Sequence, residues 1–216
     1  MMPLIAGQSP APDCDLCPRL ATFRADNRGK FDGWHNAPVP SFGLADAPLL
    51  IVGLAPGLRG ANRTGRPFTG DHAGDLLFRT LTKFGFAVGT YDRRADDGLR
   101  LIGCRITNAV RCVPPGNKPV GAEVKACRPF LKGELTGAGE RRIILALGSL
   151  AHGAILASLG LRKASHPFGH GHRHPLDNGT VLFDSYHCSR YNTNTGRLTE
   201  AMFDSVFAAI RAESPA

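Results

Sequence analysis

Four short, strongly apolar segments constrain the fold of this chain more than any other part of its sequence. They cover residues 49–56, 104–110, 142–147 and 180–186. Each has the length and composition of a buried strand. Four further segments space their apolar residues as one face of a helix does, at residues 73–84, 121–133, 149–159 and 198–210. Strands that alternate with helices predict an α/β fold, three layers α/β/α, with a central, mainly parallel sheet of four strands.

The length of the chain favours a single domain. With 216 residues it can enclose one sizeable core. Residues 1–13 are rich in Pro, Ala and Gly, so we expect a flexible N-terminal tail followed by one domain over residues 14–216. No apolar run reaches the roughly 18 residues of a membrane helix, and no secretory signal is recognisable. We therefore expect a cytoplasmic protein.

The charge of the chain favours an anionic partner. Its formal net charge is +8 and its pI is about 9.5, which makes a nucleic acid the first candidate. Many basic proteins bind nothing acidic, so charge alone leaves that alternative open.

Four of the six cysteines have the spacing of a metal site. Cys14 and Cys17 form a CxxC pair, and Cys112 and Cys127 follow much later in the chain. In a reducing compartment such cysteines are free, metal-bound or catalytic rather than disulfide-bonded. Four thiolates suit an iron–sulfur cubane or a structural zinc ion, and spacing does not separate the two. Cys104 begins a predicted strand and is expected to be a small core residue.

The segment that follows the first predicted strand has the composition of an anion-binding loop. It runs from Gly53-Leu-Ala-Pro-Gly57 through residues 58–71 and is rich in glycine and arginine. Glycine lets a backbone approach a ligand closely, but the segment matches neither a Walker loop nor a dinucleotide fingerprint. Phe68 could stack on a planar base. An ordinary basic surface loop, with Phe68 as a core contact, remains the alternative.

Several motifs, in this order, resemble those of family 5 uracil-DNA glycosylases. They are Gly53–Gly57 with residues 61–71, then residues 106–112, 114–119, 145–149 and 185–199. The resemblance covers roughly residues 14–210. By this resemblance, Cys14, Cys17, Cys112 and Cys127 match the cluster ligands of the iron–sulfur branch of the superfamily, which implies a structural [4Fe–4S] cluster rather than zinc.

The resemblance also implies an activity, the flipping and excision of uracil from DNA. The backbone of Gly53, Leu54, Ala55, Pro56 and Gly57 would line the base pocket. Phe68 would stack on the uracil, and the amide of Asn108 would read its edge. His187 would donate a hydrogen bond to uracil O2 and stabilise the departing anion.

Ala55 stands where better-known superfamily members carry an aspartate or asparagine that handles water. Its presence predicts a dissociative reaction, in which leaving-group stabilisation matters more than water activation. Asn62 and Asp71 are the polar candidates for steering water. The sequence does not choose between them, and Asp71 could equally cap the helix predicted from residue 73.

The last motif reads His187-Cys-Ser-Arg190 where related enzymes often read His-Pro-Ser-Pro. The absence of both prolines should loosen a loop that enters the DNA groove. We expect Tyr191 to act as the wedge. The full set of predicted DNA-contacting residues is Arg63, Arg66, Arg190, Tyr191, Asn192 and Arg197.

Three further expectations concern a histidine-rich stretch, the range of substrates with the oligomeric state, and an alternative function. His166, His170, His172 and His174 could bind a metal if they alternated on a strand, but the surrounding glycines and prolines favour a loop without one. Hypoxanthine and xanthine are credible additional substrates, and a monomer is expected. The alternative from another class is a non-catalytic iron–sulfur protein that binds DNA.

Overall fold

The computed structural model describes residues 8–136, 143–177 and 179–213. Its helices are α1 (Pro18–Lys30), α2 (Ala61–Thr64), α3 (His72–Lys83), α4 (Gly121–Thr136), α5 (Ser149–Leu159), α6 (Arg190–Asn194) and α7 (Glu200–Glu213). Its strands are β1 (Leu49–Gly53), β2 (Ala87–Val88), β3 (Arg100–Leu101), β4 (Cys104–Asn108), β5 (Ile143–Leu147), β6 (Arg173–Pro175) and β7 (Val181–Ser185). Across these residues, no helix combines the length and the apolarity needed to cross a membrane.

The central sheet has the strand order β4-β1-β5-β7-β6. Its first four strands are parallel and correspond to the four predicted segments. The predicted count of four is corrected to five, because β6 pairs antiparallel with β7, His174 opposite Leu182. The glycines and prolines around β6 predicted a loop, but this segment forms backbone hydrogen bonds with the edge of β7. Arg142, at the start of one predicted strand, lies outside the described residues.

Helices cover both faces of the sheet, which confirms the three-layer prediction. On one face, Ile51, Ile106 and Leu145 pack against α3 and α7. On the other, Val52 and Ile144 pack against α4 and α5. Every residue of the four parallel strands is buried, as expected for strands covered on both sides.

The N-terminal segment contacts α1 where the structure describes it. Arg28 donates hydrogen bonds to the Asp13 carboxylate (2.6 Å) and to the Pro12 carbonyl (3.0 Å). Residues 1–7 of the predicted tail lie outside the described residues. The flexible tail and the single domain that follows it stay predictions.

A buried ionic network joins β4 to α4. The Glu134 carboxylate accepts hydrogen bonds from Arg105 Nε (2.7 Å), Arg111 Nη2 (3.1 Å) and Ser41 Oγ (2.6 Å). Burial by itself would raise the pKa of Glu134, but the hydrogen bonds from Arg105 and Ser41 and the charge of Arg111 lower it to about 2. The network therefore stabilises the fold only while Glu134 is ionised.

We predict that Glu134→Gln lowers the free energy of unfolding by about 3–5 kcal/mol near neutral pH, because Arg105 and Arg111 lose their buried counter-charge. The pKa of Glu134 in the folded protein lies below its ordinary value of 4.5. The difference in unfolding free energy between wild type and variant should therefore be complete above about pH 4.5 and shrink as the pH falls toward 2. Urea unfolding at several pH values measures this. Glu200→Gln, at an exposed pair with Arg79, should change little, and an equal loss in both variants would contradict the prediction.

Candidate active site and cysteine site

Three of the predicted site residues meet at the carboxyl ends of the parallel strands. Gly53 ends β1 and lies opposite Asn108, the last residue of β4. His187 comes two residues after β7 ends at Ser185. Ligands of open parallel sheets bind at this edge, so the topology assembles these residues where the sequence predicted.

The absence of a side chain at Gly53 lets two other groups approach. A Cβ atom there would lie 2.5 Å from Asn108 Oδ1 and 2.6 Å from Phe68 Cζ. Both contacts are far shorter than real Cβ contacts. The rings of Phe68 and His187 are nearly parallel, with centroids 5.8 Å apart. Asn108 and Phe68 thus lie beside the Gly53 backbone, and the His187 ring lies next to the Phe68 ring.

Phe68 is held in an unfavourable backbone conformation. Its φ is +54° although it is not glycine, which is uncommon for a bulky residue. The Tyr91 hydroxyl donates a hydrogen bond to the Phe68 carbonyl (3.3 Å). A Cβ at Gly74 would lie 1.8 Å from that same oxygen, so α3 needs glycine there. Such strain persists where surrounding structure fixes it, often at a functional site.

The side chains of Asn108 and His187 are available to a ligand. Within the described residues, no protein group hydrogen-bonds to the Asn108 amide or to the His187 ring, although Asn108 is only 3% exposed. Burial lowers the pKa of His187 to about 4, so its ring is neutral near neutral pH. Asn192 Nδ2 donates to the His187 carbonyl (2.8 Å) and fixes the backbone beside it.

Asn62 and Asp71, the two candidates for steering water, lie in different settings. Asn62 Nδ2 donates to Asn36 Oδ1 (2.8 Å) in the protein interior. Asp71 Oδ1 caps α3 by accepting from the Ala73 N–H (3.2 Å). Its other oxygen, Oδ2, is so close to Gly57 that a Cβ there would lie 2.8 Å away. Burial raises the pKa of Asp71, although backbone N–H groups oppose the shift.

A cavity of about 230 Å³ opens beside His187. Its walls come from the ends of β1, β5 and β7 and from the segment around α6. The lining includes Leu54, Leu147, Gly148, Phe168, Tyr186, His187, Asn192 and Arg197. Arg197 lies over the Tyr186 ring, 4.8 Å from its centroid. The sequence does not mark Phe168 or Tyr186 as residues that line a cavity, because an aromatic residue beside a strand end is typical of an ordinary core position.

The predicted DNA-contacting residues divide by exposure. Arg63, Arg190 and Arg197 are exposed, and Tyr191 is 71% exposed. Arg66 differs from its prediction, because it is 5% exposed and both terminal nitrogens bind the Asp97 carboxylate at 2.7–2.8 Å. Its guanidinium also lies over the Phe42 ring, 5.1 Å from the centroid. In this structure Arg66 stabilises the loop that carries Phe68 and does not reach a phosphate.

The four predicted ligand cysteines line one cavity, together with Arg24. Cys112 and Cys127 are buried, and Cys14 and Cys17 are half-buried. Burial raises the pKa of Cys127 to about 12, and burial with the neighbouring Cys112 raises that of Cys17 to about 11. The protein alone therefore favours neutral thiols here, and a bound cation would be needed to hold them as thiolates.

Arg24 supplies a test of what this cavity would accept. It is 5% exposed, donates to Cys112 Sγ (3.5 Å) and to the Cys14 carbonyl (2.9 Å), and its Nε has no partner. Within the described residues it forms no ion pair with a carboxylate. A buried cation of this kind requires an anion. Four thiolates around a 2+ centre carry a net charge of about −2, so the residues fit such a group.

The cysteine cavity is connected to the active site through Ala55. Ala55 packs against the apolar cluster of Leu20, Val110, Cys112 and Cys127. The Ala55 methyl group thus forms part of the packing around the cysteines as well as part of the segment that follows β1.

Comparisons with known proteins identify the family of this chain. A sequence model of the uracil DNA glycosylase superfamily matches residues 40–211. A type-5 uracil-DNA glycosylase of Thermus thermophilus is 48% identical over 195 residues, 88% of this chain and 89% of its own length. One of Mycobacterium tuberculosis is 42% identical over 202 residues, 90% of this chain and 75% of its own length. A crystal structure of Pedobacter heparinus SMUG2 matches with a TM-score of 0.47 and 16% identity, over 77% of this chain and 76% of that one.

The chain therefore belongs to the uracil-DNA glycosylase superfamily. Within that superfamily it is a member of the type-5 family, with which it shares 40–48% identity over most of its length.

Proposed function

We propose that this protein excises uracil from DNA by hydrolysing the N-glycosidic bond. One observation carries the proposal: the Asn108 amide, which has no protein partner, and the Phe68 ring both approach the Gly53 backbone, and a neutral His187 lies 5.8 Å from that ring. An amide donor and acceptor match the edge of uracil, and an aromatic ring offers a stacking surface. The type-5 names of the relatives agree with this substrate. Hypoxanthine and xanthine are proposed as additional substrates. The protein is also proposed to bind DNA as a monomer.

The reaction is dissociative in this proposal. The bond between C1′ and N1 breaks, and its electron pair passes to the departing base, where charge develops on O2. His187 donates a hydrogen bond from its neutral ring to O2, which stabilises that anion without a prior proton transfer. Water then adds to the sugar cation at C1′ and loses a proton.

We predict that His187→Ala lowers the single-turnover rate on a uracil-containing oligonucleotide by about 100-fold or more, the typical cost of removing one such donor. Because the ring is already neutral, the wild-type rate should not fall as the pH rises through the ordinary histidine value of 6.5. Strand cleavage by alkali after incubation measures both. A fully active His187→Ala variant would refute the role of His187, and no cleavage by the wild type with any deaminated base would refute the glycosylase.

Asp71, rather than Asn62, is proposed to steer water and accept its proton. Asp71 keeps one carboxylate oxygen against Gly57 after capping α3. Asn62 donates through Nδ2 to Asn36 and has only a neutral amide oxygen, Oδ1, without a partner, which cannot accept a proton from water as a carboxylate can. The raised pKa of Asp71 makes its carboxylate a better base than an ordinary aspartate.

We predict that Asp71→Asn, which can still cap α3, slows excision by about 100-fold. In the wild type the rate should fall as the pH drops through the raised Asp71 pKa, because the protonated acid cannot accept a proton. Asp71→Asn should lose that acid limb in a pH–rate profile. Asn62→Ala should keep it, and the opposite pattern would assign the role to Asn62.

Cys14, Cys17, Cys112 and Cys127 are proposed to hold a [4Fe–4S] cluster, with zinc as the alternative. When bound, the group would supply a structural cross-link between the N-terminal segment and the chain that follows β4. Arg24 would neutralise part of its negative charge.

Tyr191 remains the proposed wedge, since its exposed side chain lies at the start of α6.

We predict that Arg24→Gln reduces the iron and acid-labile sulfide retained per chain after challenge with a chelator, because the cluster loses its buried counter-charge. Arg24→Lys should retain more than Arg24→Gln. The matched control is Lys30→Gln, which removes an exposed cation at the end of the same helix and should behave as wild type. Stoichiometric zinc without iron in the wild type would contradict the cluster.

A further inference from the structure

We infer that His152, His174 and Asp184 form a second metal site, specific for a divalent transition cation of the zinc type. It lies away from the four cysteines and is independent of the proposed glycosylase activity. The three residues come from α5, β6 and β7. One donor atom from each lies within 4.8 Å of the other two.

The hydrogen-bond partners of His152 are one donor short. Its Nδ1 lies 2.7 Å from Asp184 Oδ1, and its Nε2 lies 2.9 Å from the His166 carbonyl oxygen. Both neighbours are acceptors, and a neutral imidazole has only one N–H to donate. His152 is 3% exposed and Asp184 is fully buried. Either a second proton or a metal ion must therefore stand between His152 Nδ1 and the carboxylate.

His174 adds a third potential ligand atom beside the same carboxylate. Its Nε2 lies 3.1 Å from the other carboxylate oxygen, Asp184 Oδ2, and its side chain is 10% exposed. A proton on His152 would satisfy that ring alone. A divalent ion would be shared by two imidazoles and one carboxylate, the nitrogen and oxygen donors that suit zinc.

The surroundings have the features of a metal site. With Nδ1 on the metal, His152 Nε2–H would donate to the His166 carbonyl, which is how a second hydrogen bond fixes the ring of a ligating histidine. The Gly169 N–H approaches Asp184 Oδ2 at 3.4 Å. The rings of His166 and His172 lie 5.7 Å and 5.9 Å from that of His174. Either could supply a fourth ligand after a small rotation, and water is the alternative.

The site would tie the edge of the sheet to the wall of the active-site cavity. It would link the short antiparallel strand β6 to β7 and α5. His152 packs edge-on against Phe168, with ring centroids 5.6 Å apart, and Phe168 lines the cavity beside His187. The metal is therefore assigned a structural role, with no step of the reaction on it.

The experiment counts zinc, iron and protein in the purified holoprotein after addition of Zn²⁺ and desalting. His174→Gln is the decisive variant, because a glutamine amide can still donate to Asp184 but is a poor zinc ligand. His35→Gln, a histidine remote from Asp184, is the matched control. We expect wild type and His35→Gln to retain one more zinc per chain than His174→Gln. Zn²⁺ should also raise the unfolding temperature of the first two and not of the third.

Equal zinc content in all three proteins, or no zinc in any of them, would overturn the inference. Nitrogen chemical shifts that show both ring nitrogens of His152 protonated in the presence of Zn²⁺ would also overturn it. Zinc held by the cysteines in place of iron would persist in His174→Gln, so the two sites are counted separately. A wild-type protein that retains this zinc but excises no uracil would refute the proposed function and leave the metal site standing.

Discussion

The parallel pairing of β1 with β4 is the constraint on which the active site depends. Its register sets Gly53 beside Asn108, and the missing side chain at Gly53 admits both the Asn108 amide and the Phe68 ring. A shift of one residue would exchange the faces of the sheet and bury Asn108 in the core. Both strands are buried on both faces, and the bond from Arg105 of β4 to Glu134 of α4 fixes which face of β4 points to that helix.

The same strand connects the active site to the cysteine site. Asn108 ends β4, and Arg111 and Cys112 follow within one short segment. Arg111 binds Glu134 on α4, and Val110 and Cys112 on either side of it pack with Cys127 in one apolar cluster. Ala55 packs from the other side against the cysteines. The cysteine site and the base pocket are therefore joined by packed side chains and by the end of β4.

The sequence predicted those elements whose signal is local. The four parallel strands were recognisable as apolar runs, and the resemblance to family 5 glycosylases pointed to Asn108 and His187, which follow two of those strands. Contacts between distant residues were not recognisable. Arg66 looked like a phosphate ligand because nothing near it in sequence shows that Asp97, 31 positions later, binds it. Nothing in the sequence around Tyr91 indicates that it binds the Phe68 carbonyl. Gly74 does carry a signal of its contact with that carbonyl, since glycine disfavours a helix unless close packing requires it.

The most direct test of the account is the single-turnover rate of uracil release by Gly53→Ala. The added methyl group would displace Asn108 and Phe68 from each other, so we predict a loss of about 100-fold, the scale expected for misplacement by roughly 1 Å, in a protein that remains folded. Gly29→Ala, where a Cβ meets nothing within 4 Å, should keep the wild-type rate. A folded Gly53→Ala variant that releases uracil at the wild-type rate would contradict the pocket described for this protein.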